Sequence, residues 1–160
     1  MATKDLSHYD SNAVPNAEGM RFGIVVSEWN EEITEGLYNG AQNALLENGV
    51  LAEDIIRINV PGSFELTFGA AMLAETTNVD AVITLGSVIQ GETKHFDFVC
   101  DGVTQGIKDL NVLNDVPVVF CVLTDNNLQQ SIDRSGGKCG NKGVEAAITA
   151  IKMAHLNGTM

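Results

Sequence analysis

The chain has 160 residues, of which 44% are hydrophobic, and nine lysines and arginines stand against 21 aspartates and glutamates. This length suits one globular domain with a single sizeable core and leaves no room for a second domain. The formal net charge of -12 argues against nonspecific binding to nucleic acid or to anionic lipid, because both require a positive surface. We therefore expect an acidic protein with no nucleic-acid partner and no membrane partner.

The three cysteines, Cys100, Cys121 and Cys139, show no paired spacing, and their odd number argues against a disulfide framework. No apolar run approaches the roughly 18 residues that indicate a membrane-spanning helix. The start of the chain, MATKDLSHYD, lacks the apolar core of a signal peptide. These features are typical of the reducing cytoplasm, and we expect neither secretion nor membrane anchoring.

The first 20 residues are polar and show neither helical nor strand periodicity, so alone they cannot bury enough apolar surface to order. We expect an N-terminal arm over residues 1–20 and a single domain over residues 21–158. Within the domain, the run FGIVVS at residues 22–27 is apolar and β-branched, which is typical of a strand buried on both faces. A helix is expected next, capped at its start by Asn30 and ended by Gly49.

The alternation of strands and helices continues along the chain. A second strand at residues 55–60 precedes a helix for which Ser63 is the expected cap, and a third strand at residues 81–89 precedes a helix that follows residues 91–95. A fourth strand is expected at residues 118–123. Such alternation implies right-handed βαβ units. We predict an α/β fold: a three-layer α/β/α sandwich with a four-stranded parallel sheet and flavodoxin-like topology.

Beyond the fourth strand the pattern is less regular. Residues 128–134 can form a short helix, the glycine-rich segment SGGKCGNKG at residues 135–143 interrupts the chain, and a last helix follows. Arg134 and Lys142 make this acidic chain locally basic. A guanidinium and an ammonium suit an anionic substrate at a subunit interface. The alternative is a solvated basic turn, which is the better interpretation of these residues taken alone.

Ligands of parallel α/β sheets bind outside the carboxyl ends of the strands, so the turns there form the candidate site. Trp29, after the first strand, could stack on a planar ligand or could pack against a helix. After the second strand, residues 61–65 bring an aromatic ring and backbone amides to a helix start. A cap would need only Ser63, which leaves Phe64 and Glu65 unexplained.

The segment GETKH at residues 91–95 follows the third strand and carries the most chemistry. Gly91 allows a sharp turn and the close approach of a ligand. The free amides of a helix start, with the hydroxyl of Thr93, form an anion site suited to phosphate. His95 lies near the positive end of the helix dipole, which favours a neutral imidazole able to accept a proton. This suits a general base or proton shuttle, although an isolated histidine is more often structural.

Other kinds of catalysis find little support in the sequence. The histidines His8, His95 and His155 lie in unrelated contexts, and the cysteines lack the spacing of metal ligands, so no metal site is expected. Neither a G-x-S-x-G nucleophile elbow nor the Walker pattern G-x-x-x-x-G-K-[ST] occurs. These absences argue against a serine hydrolase and against a P-loop protein.

Five segments together resemble lumazine synthase, the penultimate enzyme of riboflavin biosynthesis, in that family's order and spacing. They are RFGIVVSEWN, NVPGSFEL, GSVIQGETKHFDFVC, VPVVFCVLT and DRSGGKCGNKGVEAA, and the match covers about residues 21–156. The resemblance implies condensation of 5-amino-6-(D-ribitylamino)uracil with 3,4-dihydroxy-2-butanone 4-phosphate, giving 6,7-dimethyl-8-ribityllumazine, phosphate and water. It implies neither a metal nor an organic cofactor.

The resemblance also assigns roles to residues by position. His95 corresponds to the family's proton-transfer histidine, and the pyrimidine ring would stack on Trp29. The positions that would hold the ring and the ribityl chain are Ser63, Phe64, Glu65, Val88 and Ile89. The positions around the phosphate would be Gly91, Glu92, Thr93 and, from an adjacent subunit, Arg134. The same neighbour would supply Phe120 and Lys142.

Some positions depart from the family's commoner pattern. Trp29 stands where phenylalanine is frequent, which keeps a stacking face. Glu92 stands where alanine is usual and places a carboxylate beside the expected phosphate. Turned outward, its side chain would leave the backbone amides free to bind, and turned inward it would repel the anion. Cys139 replaces a small residue and affects no assigned role.

The resemblance further implies an assembly. The family forms homopentamers that pair or build hollow icosahedral shells, and the compact segment at residues 135–143 resembles the shell-forming members, which favours a shell of about 60 subunits. The N-terminal arm could add a strand to a neighbour's sheet, and riboflavin synthase is an implied associate. Two rival functions stay open: a riboflavin synthase of the related archaeal type, and a noncatalytic flavin or lumazine carrier.

Overall fold

A computed structural model describes residues 5–160 and contains a parallel sheet of four strands in the order β2-β1-β3-β4. The strands are β1 (Phe22–Ser27), β2 (Ile55–Val60), β3 (Ala81–Ile89) and β4 (Val118–Asp125). The first three have the predicted bounds. The fourth runs beyond residue 123, because Val88 and Ile89 continue to pair with Thr124 and Asp125.

Helices cover both faces of the sheet, which confirms the predicted three-layer sandwich of flavodoxin-like topology. They are α1 (Glu31–Glu47), α2 (Leu66–Thr76), α3 (His95–Leu113), α4 (Leu128–Arg134) and α5 (Lys142–Gly158). Helices α1 and α5 pack on one face, and α2 and α3 pack on the other. Within the described residues, no helix combines the length and the apolar character needed to span a bilayer.

The sheet divides the expected single core into two. Ile24 and Val26 point toward α1 and α5, whereas Val25 points toward α2 and α3. Successive residues of a strand face opposite sides of the sheet, so a strand covered on both sides is apolar throughout. This is why the continuous run at residues 22–27 gave the correct strand bounds.

Two of the predicted helix caps are wrong. Asn30 does precede α1, but it adopts a left-handed conformation (φ 61°) and makes no capping hydrogen bond. Its Nδ2 donates instead to the carbonyl oxygen of Ser87 at 2.9 Å, so a contact with β3 replaces the cap. Ser63 begins a 3-10 turn, and α2 starts only at Leu66, without a side-chain cap. The predicted role of Gly49 is confirmed, since it follows α1 with φ +97°.

The glycine-rich segment forms an antiparallel hairpin, which the sequence did not predict. Its strands are β5 (Ser135–Gly137) and β6 (Gly140–Asn141), and α5 begins directly afterwards. Asn141 caps α5 by accepting a hydrogen bond from the Gly143 amide at 2.8 Å. A Cβ at Gly143 would lie 2.0 Å from the carbonyl oxygen of Leu37, so only glycine allows α5 to approach α1 this closely.

The described part of the N-terminal arm, residues 5–20, packs on its own chain. Leu6 is buried, and its amide donates to the carbonyl oxygen of Cys139 at 2.7 Å. The hydroxyl of Ser7 accepts a hydrogen bond from the Asn141 amide at 2.8 Å, and Ala17 is fully buried in the core beside α1. Contacts with the domain therefore order an arm that could not order alone. The remainder of the predicted arm, residues 1–4, lies outside the described residues.

Candidate active site

A cavity of about 750 Å³ lies outside the carboxyl ends of β1, β2 and β3. This is where ligands of parallel α/β sheets bind, and the volume suits a small organic molecule. Its wall contains the following predicted site residues: Trp29, Ser63, Phe64, Glu65, Val88, Ile89, Gly91, Thr93 and His95. Residues that are more than 60 positions apart in the chain thus meet around one space.

Trp29 presents its indole ring to the cavity. The side chain is 73% exposed, so the alternative in which it packs against a helix does not fit. The turn that carries it is held at both sides, because the Trp29 amide donates to the carbonyl oxygen of Pro61 at 3.2 Å and Asn30 is hydrogen-bonded to Ser87. Asparagine tolerates the left-handed conformation found at position 30. The ring is therefore available to stack on a planar ligand.

Ser63 lies at the floor of the cavity with a buried hydroxyl. The residue is only 6% exposed, and its Oγ has no hydrogen-bond partner within residues 5–160. A buried polar atom without a partner costs free energy, and such atoms are rare in folded proteins. A Cβ at Gly86 would lie 2.7 Å from this oxygen, so the glycine makes room for the hydroxyl. The arrangement places a hydrogen-bonding group without a partner in the described residues beside the cavity.

Aromatic rings form a further wall of the cavity. The ring of Phe64 packs over Gly102 of α3, where a Cβ would lie 2.5 Å from the ring. Phe96 and Phe98, which sequence reasoning did not assign to the site, also line the cavity. A signal for Phe98 existed, since it falls off the buried stripe of α3 formed by Val103 and Ile107 and yet is large and apolar.

The segment before α3 brings Gly91, Thr93 and His95 to the cavity. His95 is the first residue of the helix, and its amide lies 3.4 Å from the Thr93 hydroxyl, so this is the positive end of a 19-residue helix. The sequence predicted that Gly91 allows a sharp turn, but the turn does not require a glycine. The φ of Gly91 is not positive, and an added Cβ would meet nothing within 4 Å. Glu92 is exposed and does not line the cavity.

The remaining predicted residues lie elsewhere in the same chain. Phe120 and Lys142 line a second cavity, of about 340 Å³, at the free edge of β4. There the Lys142 Nζ donates to the Glu145 carboxylate at 2.5 Å. Arg134 is the last residue of α4 and lines neither cavity. Within residues 5–160, the wall of the first cavity contains no lysine and no arginine.

Two buried groups near Arg134 were missed by sequence reasoning. Asp125 ends β4 with its side chain buried, and its Oδ2 accepts a hydrogen bond from the Ser131 hydroxyl at 2.8 Å. Nothing in the sequence distinguished this aspartate from an ordinary turn residue. No group of three or more histidine, cysteine, aspartate or glutamate side chains is arranged to hold a metal ion in the part of the chain described here.

Fold and site together define a class of protein: an α/β domain whose aromatic-walled cavity meets the start of a helix and suits a planar small molecule and an anion. The family model for 6,7-dimethyl-8-ribityllumazine synthase matches residues 19–158. The chain belongs to this family.

Curated relatives support the assignment along nearly the whole chain. A 6,7-dimethyl-8-ribityllumazine synthase of Flavobacterium johnsoniae is 72% identical over 158 residues, which are 98% of this chain and 83% of the relative. Proteins of the same name from Christiangramia forsetii and Flavobacterium psychrophilum are 67% and 66% identical. These matches cover 98% and 97% of this chain, and 95% and 82% of the two relatives.

Proposed function

We propose that this protein catalyses the reaction named in its family. It condenses 5-amino-6-(D-ribitylamino)uracil with 3,4-dihydroxy-2-butanone 4-phosphate, giving 6,7-dimethyl-8-ribityllumazine, phosphate and water, in riboflavin biosynthesis. The observation that carries this conclusion is the family match over residues 19–158 together with relatives of that name at 66–72% identity. Its substrates are small molecules, and the cavity of about 750 Å³ has the size for them.

The pyrimidine substrate is proposed to occupy the aromatic part of the cavity. Trp29 and Phe64 offer exposed ring faces, and Ser63 offers a hydroxyl without a partner in the described residues. Stacking would hold the ring, and hydrogen bonds from Ser63 and from the backbone edge at Val88 and Ile89 would orient it. Glu65 also lines the cavity, and its carboxylate is proposed to accept hydrogen bonds from the ribityl hydroxyls.

The phosphate of the second substrate is proposed to bind at the start of α3. The amides of Gly91, Glu92 and Thr93 donate no hydrogen bond within residues 5–160, and they come just before the positive end of α3. An outward side chain at Glu92 leaves these amides accessible. His95 is then placed to move protons during Schiff-base formation, phosphate elimination and ring closure. Because the substrate brings its own amine, proximity and proton transfer suffice and neither a metal nor an organic cofactor enters the proposal.

A neighbouring subunit is proposed to complete the site with Phe120, Arg134 and Lys142. Support comes from the first cavity, which has a helix start suited to an anion but no cationic lysine or arginine in its described wall. Large apolar side chains are also exposed on α2 and α3, at Phe68, Met72, Phe98, Val112 and Leu113. Surfaces of this kind favour association. We propose a homopentamer, extended into an icosahedral shell, in the cytoplasm and in association with riboflavin synthase.

The test is to mix the purified protein with both substrates and to follow the lumazine chromophore and the release of phosphate. The expected result is equal amounts of lumazine and phosphate. A carrier would give neither product. A riboflavin synthase of the archaeal type would consume added lumazine and release no phosphate. Either of these results would overturn the proposal.

A further inference from the structure

Asp125 is a buried carboxylate that the proposed reaction does not use. It is 6% exposed at the end of β4, and its carbonyl oxygen accepts a hydrogen bond from the Gln90 amide at 2.9 Å. Burying a charged carboxylate is unfavourable unless its oxygens find partners. One oxygen, Oδ2, accepts from the Ser131 hydroxyl at 2.8 Å. The other, Oδ1, lies 3.6 Å from Nη1 of Arg134, so the buried charge faces a guanidinium.

The contacts of Arg134 engage only one of its terminal nitrogens. Nη1 donates to the carbonyl oxygen of Gln130 at 3.2 Å and lies against Asp125, while the side chain stays 41% exposed. Within residues 5–160, Nε and Nη2 have no protein partner. A guanidinium binds a phosphate best through two parallel N–H groups on one edge. The contacts made by Nη1 leave such an edge open.

Ser131 fixes the orientation of the carboxylate. It is fully buried on α4, and its hydroxyl oxygen lies 3.5 Å from that of Ser87, at the limit of a hydrogen bond. Ser87 belongs to β3 and lines the first cavity. Because β3 and β4 are paired strands, the chain of contacts from Ser87 through Ser131 to Asp125 is anchored in the sheet. The sheet therefore determines where the carboxylate points, and the carboxylate determines where Nη1 points.

We infer that Asp125, supported by Ser131, is a positioning residue that holds the guanidinium of Arg134 ready for the phosphate of the butanone substrate. This inference rests on the proposed phosphate role of Arg134. A long arginine side chain loses rotamer freedom when it binds an anion, and a residue that has already restricted it lowers that cost. Asp125 also opposes the positive charge of Arg134, so positioning and charge reduction predict opposite effects when the carboxylate is removed.

The experiment measures KM for each substrate in the assembled enzyme. Asp125→Ala should raise KM for the butanone phosphate by about tenfold and leave KM for the pyrimidine unchanged. Asp125→Asn keeps an oxygen toward Arg134 and a polar group toward Ser131, so its KM for the butanone phosphate should stay close to that of the unmodified protein. Ser131→Ala, which leaves the carboxylate in place without its donor, should raise the same KM by roughly threefold. Asp133→Asn serves as the matched control, because Asp133 is also buried on α4 but pairs with Lys138 at 2.8 Å.

Several results would overturn the inference. A lower KM for the butanone phosphate in Asp125→Ala would mean that the carboxylate only weakens the charge of Arg134. An unchanged KM for the butanone phosphate in Asp125→Ala would exclude a positioning role. An equal rise in KM for both substrates would indicate a structural role, and so would an equal rise in the Asp133→Asn control. In an Arg134→Ala background, Asp125→Ala should have no further effect on this KM. If Arg134→Ala itself left KM for the butanone phosphate unchanged, the proposed phosphate role of Arg134 would be wrong. This result distinguishes failure of that role from failure of the positioning role of Asp125 alone.

Discussion

At the scale of single residues, the hydroxyl of Ser63 is buried against Gly86 and has no hydrogen-bond partner within residues 5–160. The folded chain bears the cost of this unpaired group, and a ligand that enters the cavity is proposed to supply the missing partner. The Ser63 hydroxyl therefore lowers the stability of the free protein, whereas it is proposed to strengthen ligand binding. The sequence indicated a cap at this position, and only the packing of the 3-10 turn under the cavity shows why the cap is not made.

We predict that Ser63→Ala raises the free energy of unfolding by about 1 kcal/mol, because it removes an unpaired buried hydroxyl. The same change should raise KM for the pyrimidine several-fold. Urea unfolding and steady-state kinetics measure the two effects. Ser131→Ala is the matched comparison, since its buried hydroxyl does have a partner, and it should destabilise the protein. Loss of stability in Ser63→Ala would show that the hydroxyl is satisfied without a ligand.

His95 is the second residue-scale case. We predict that His95→Ala lowers kcat roughly 100-fold, the usual size of a proton-transfer contribution, while pyrimidine binding stays nearly unchanged. Binding can be followed by titration and turnover by lumazine absorbance. His155→Ala, at an exposed position of α5, should change neither quantity. Abolished pyrimidine binding in His95→Ala would indicate that the imidazole supports the structure of the cavity instead.

At the scale of elements, the strands were predictable and the connections were not. A strand covered on both faces is a nearly continuous apolar run, and this gave the bounds of β1 and β3. Strand β2 lies at the edge of the sheet and includes Arg57 and Asn59, so its end was indicated instead by the turn residues Pro61 and Gly62. Caps depend on what lies nearby in three dimensions: Asn30 turns to β3, a contact between positions far apart in the sequence. The hairpin at residues 135–141 carries no periodic apolar pattern, so its glycines indicated only an interruption. The contacts of Asp125 could not be predicted either, because they too depend on which side chains lie nearby in three dimensions.

An ion pair links α1 to β2 at the edge of the sheet. Arg57 donates from Nη1 to Oε2 of Glu35 at 3.0 Å and stacks on the ring of Tyr38, 4.2 Å from its centroid. The hydrogen bond from Arg57 is the main cause that lowers the pKa of Glu35 below its usual value of 4.5, against the opposing effect of burial. The ionised carboxylate is thus favoured in the folded state, which stabilises the protein above the unfolded pKa.

We predict that Glu35→Gln destabilises the protein at neutral pH, and that the difference from the unmodified protein disappears as the pH falls below about 4.5 and through the folded pKa. Urea unfolding at a series of pH values checks this. Glu47→Gln, at an exposed position at the end of the same helix, should have little effect at any pH. A difference that persists in acid would assign the effect to packing of the side chain.

At the scale of the whole molecule, one chain keeps the residues of the proposed site apart, in two cavities and, for Arg134, outside both. The first contains Trp29, Ser63 and His95, and the second contains Phe120 and Lys142. The sequence, through its resemblance to a family, predicted both groups of residues. Geometry adds that a single subunit holds the two groups at different places on its sheet. The aromatic cavity lies at the carboxyl ends of the strands, and the cavity with Phe120 and Lys142 lies along β4. Assembly is therefore proposed to be part of the chemistry.

We predict that two impaired variants restore activity when they assemble together. In a mixed ring, a subunit carrying Arg134→Ala still offers His95, and a neighbour carrying His95→Ala still offers Arg134. Random assembly of equal amounts should give about a quarter of the normal sites, because two independent choices must both be favourable. Activity after refolding the variants together, compared with each refolded alone, measures this. No recovery, with native mass showing a ring, would mean that each subunit works by itself.

The contact between residues 6–7 and the hairpin at residues 135–141 has a consequence for synthesis on the ribosome. Ser7 accepts a hydrogen bond from the amide of Asn141, a separation of 134 residues, and Leu6 binds the same hairpin through Cys139. Leu6 and Ser7 are synthesised long before Cys139 and Asn141, so these two hydrogen bonds cannot form until the hairpin has been translated. We therefore expect these contacts to form late during synthesis, and a bulky tag fused before residue 5 should disturb them more than the rest of the fold.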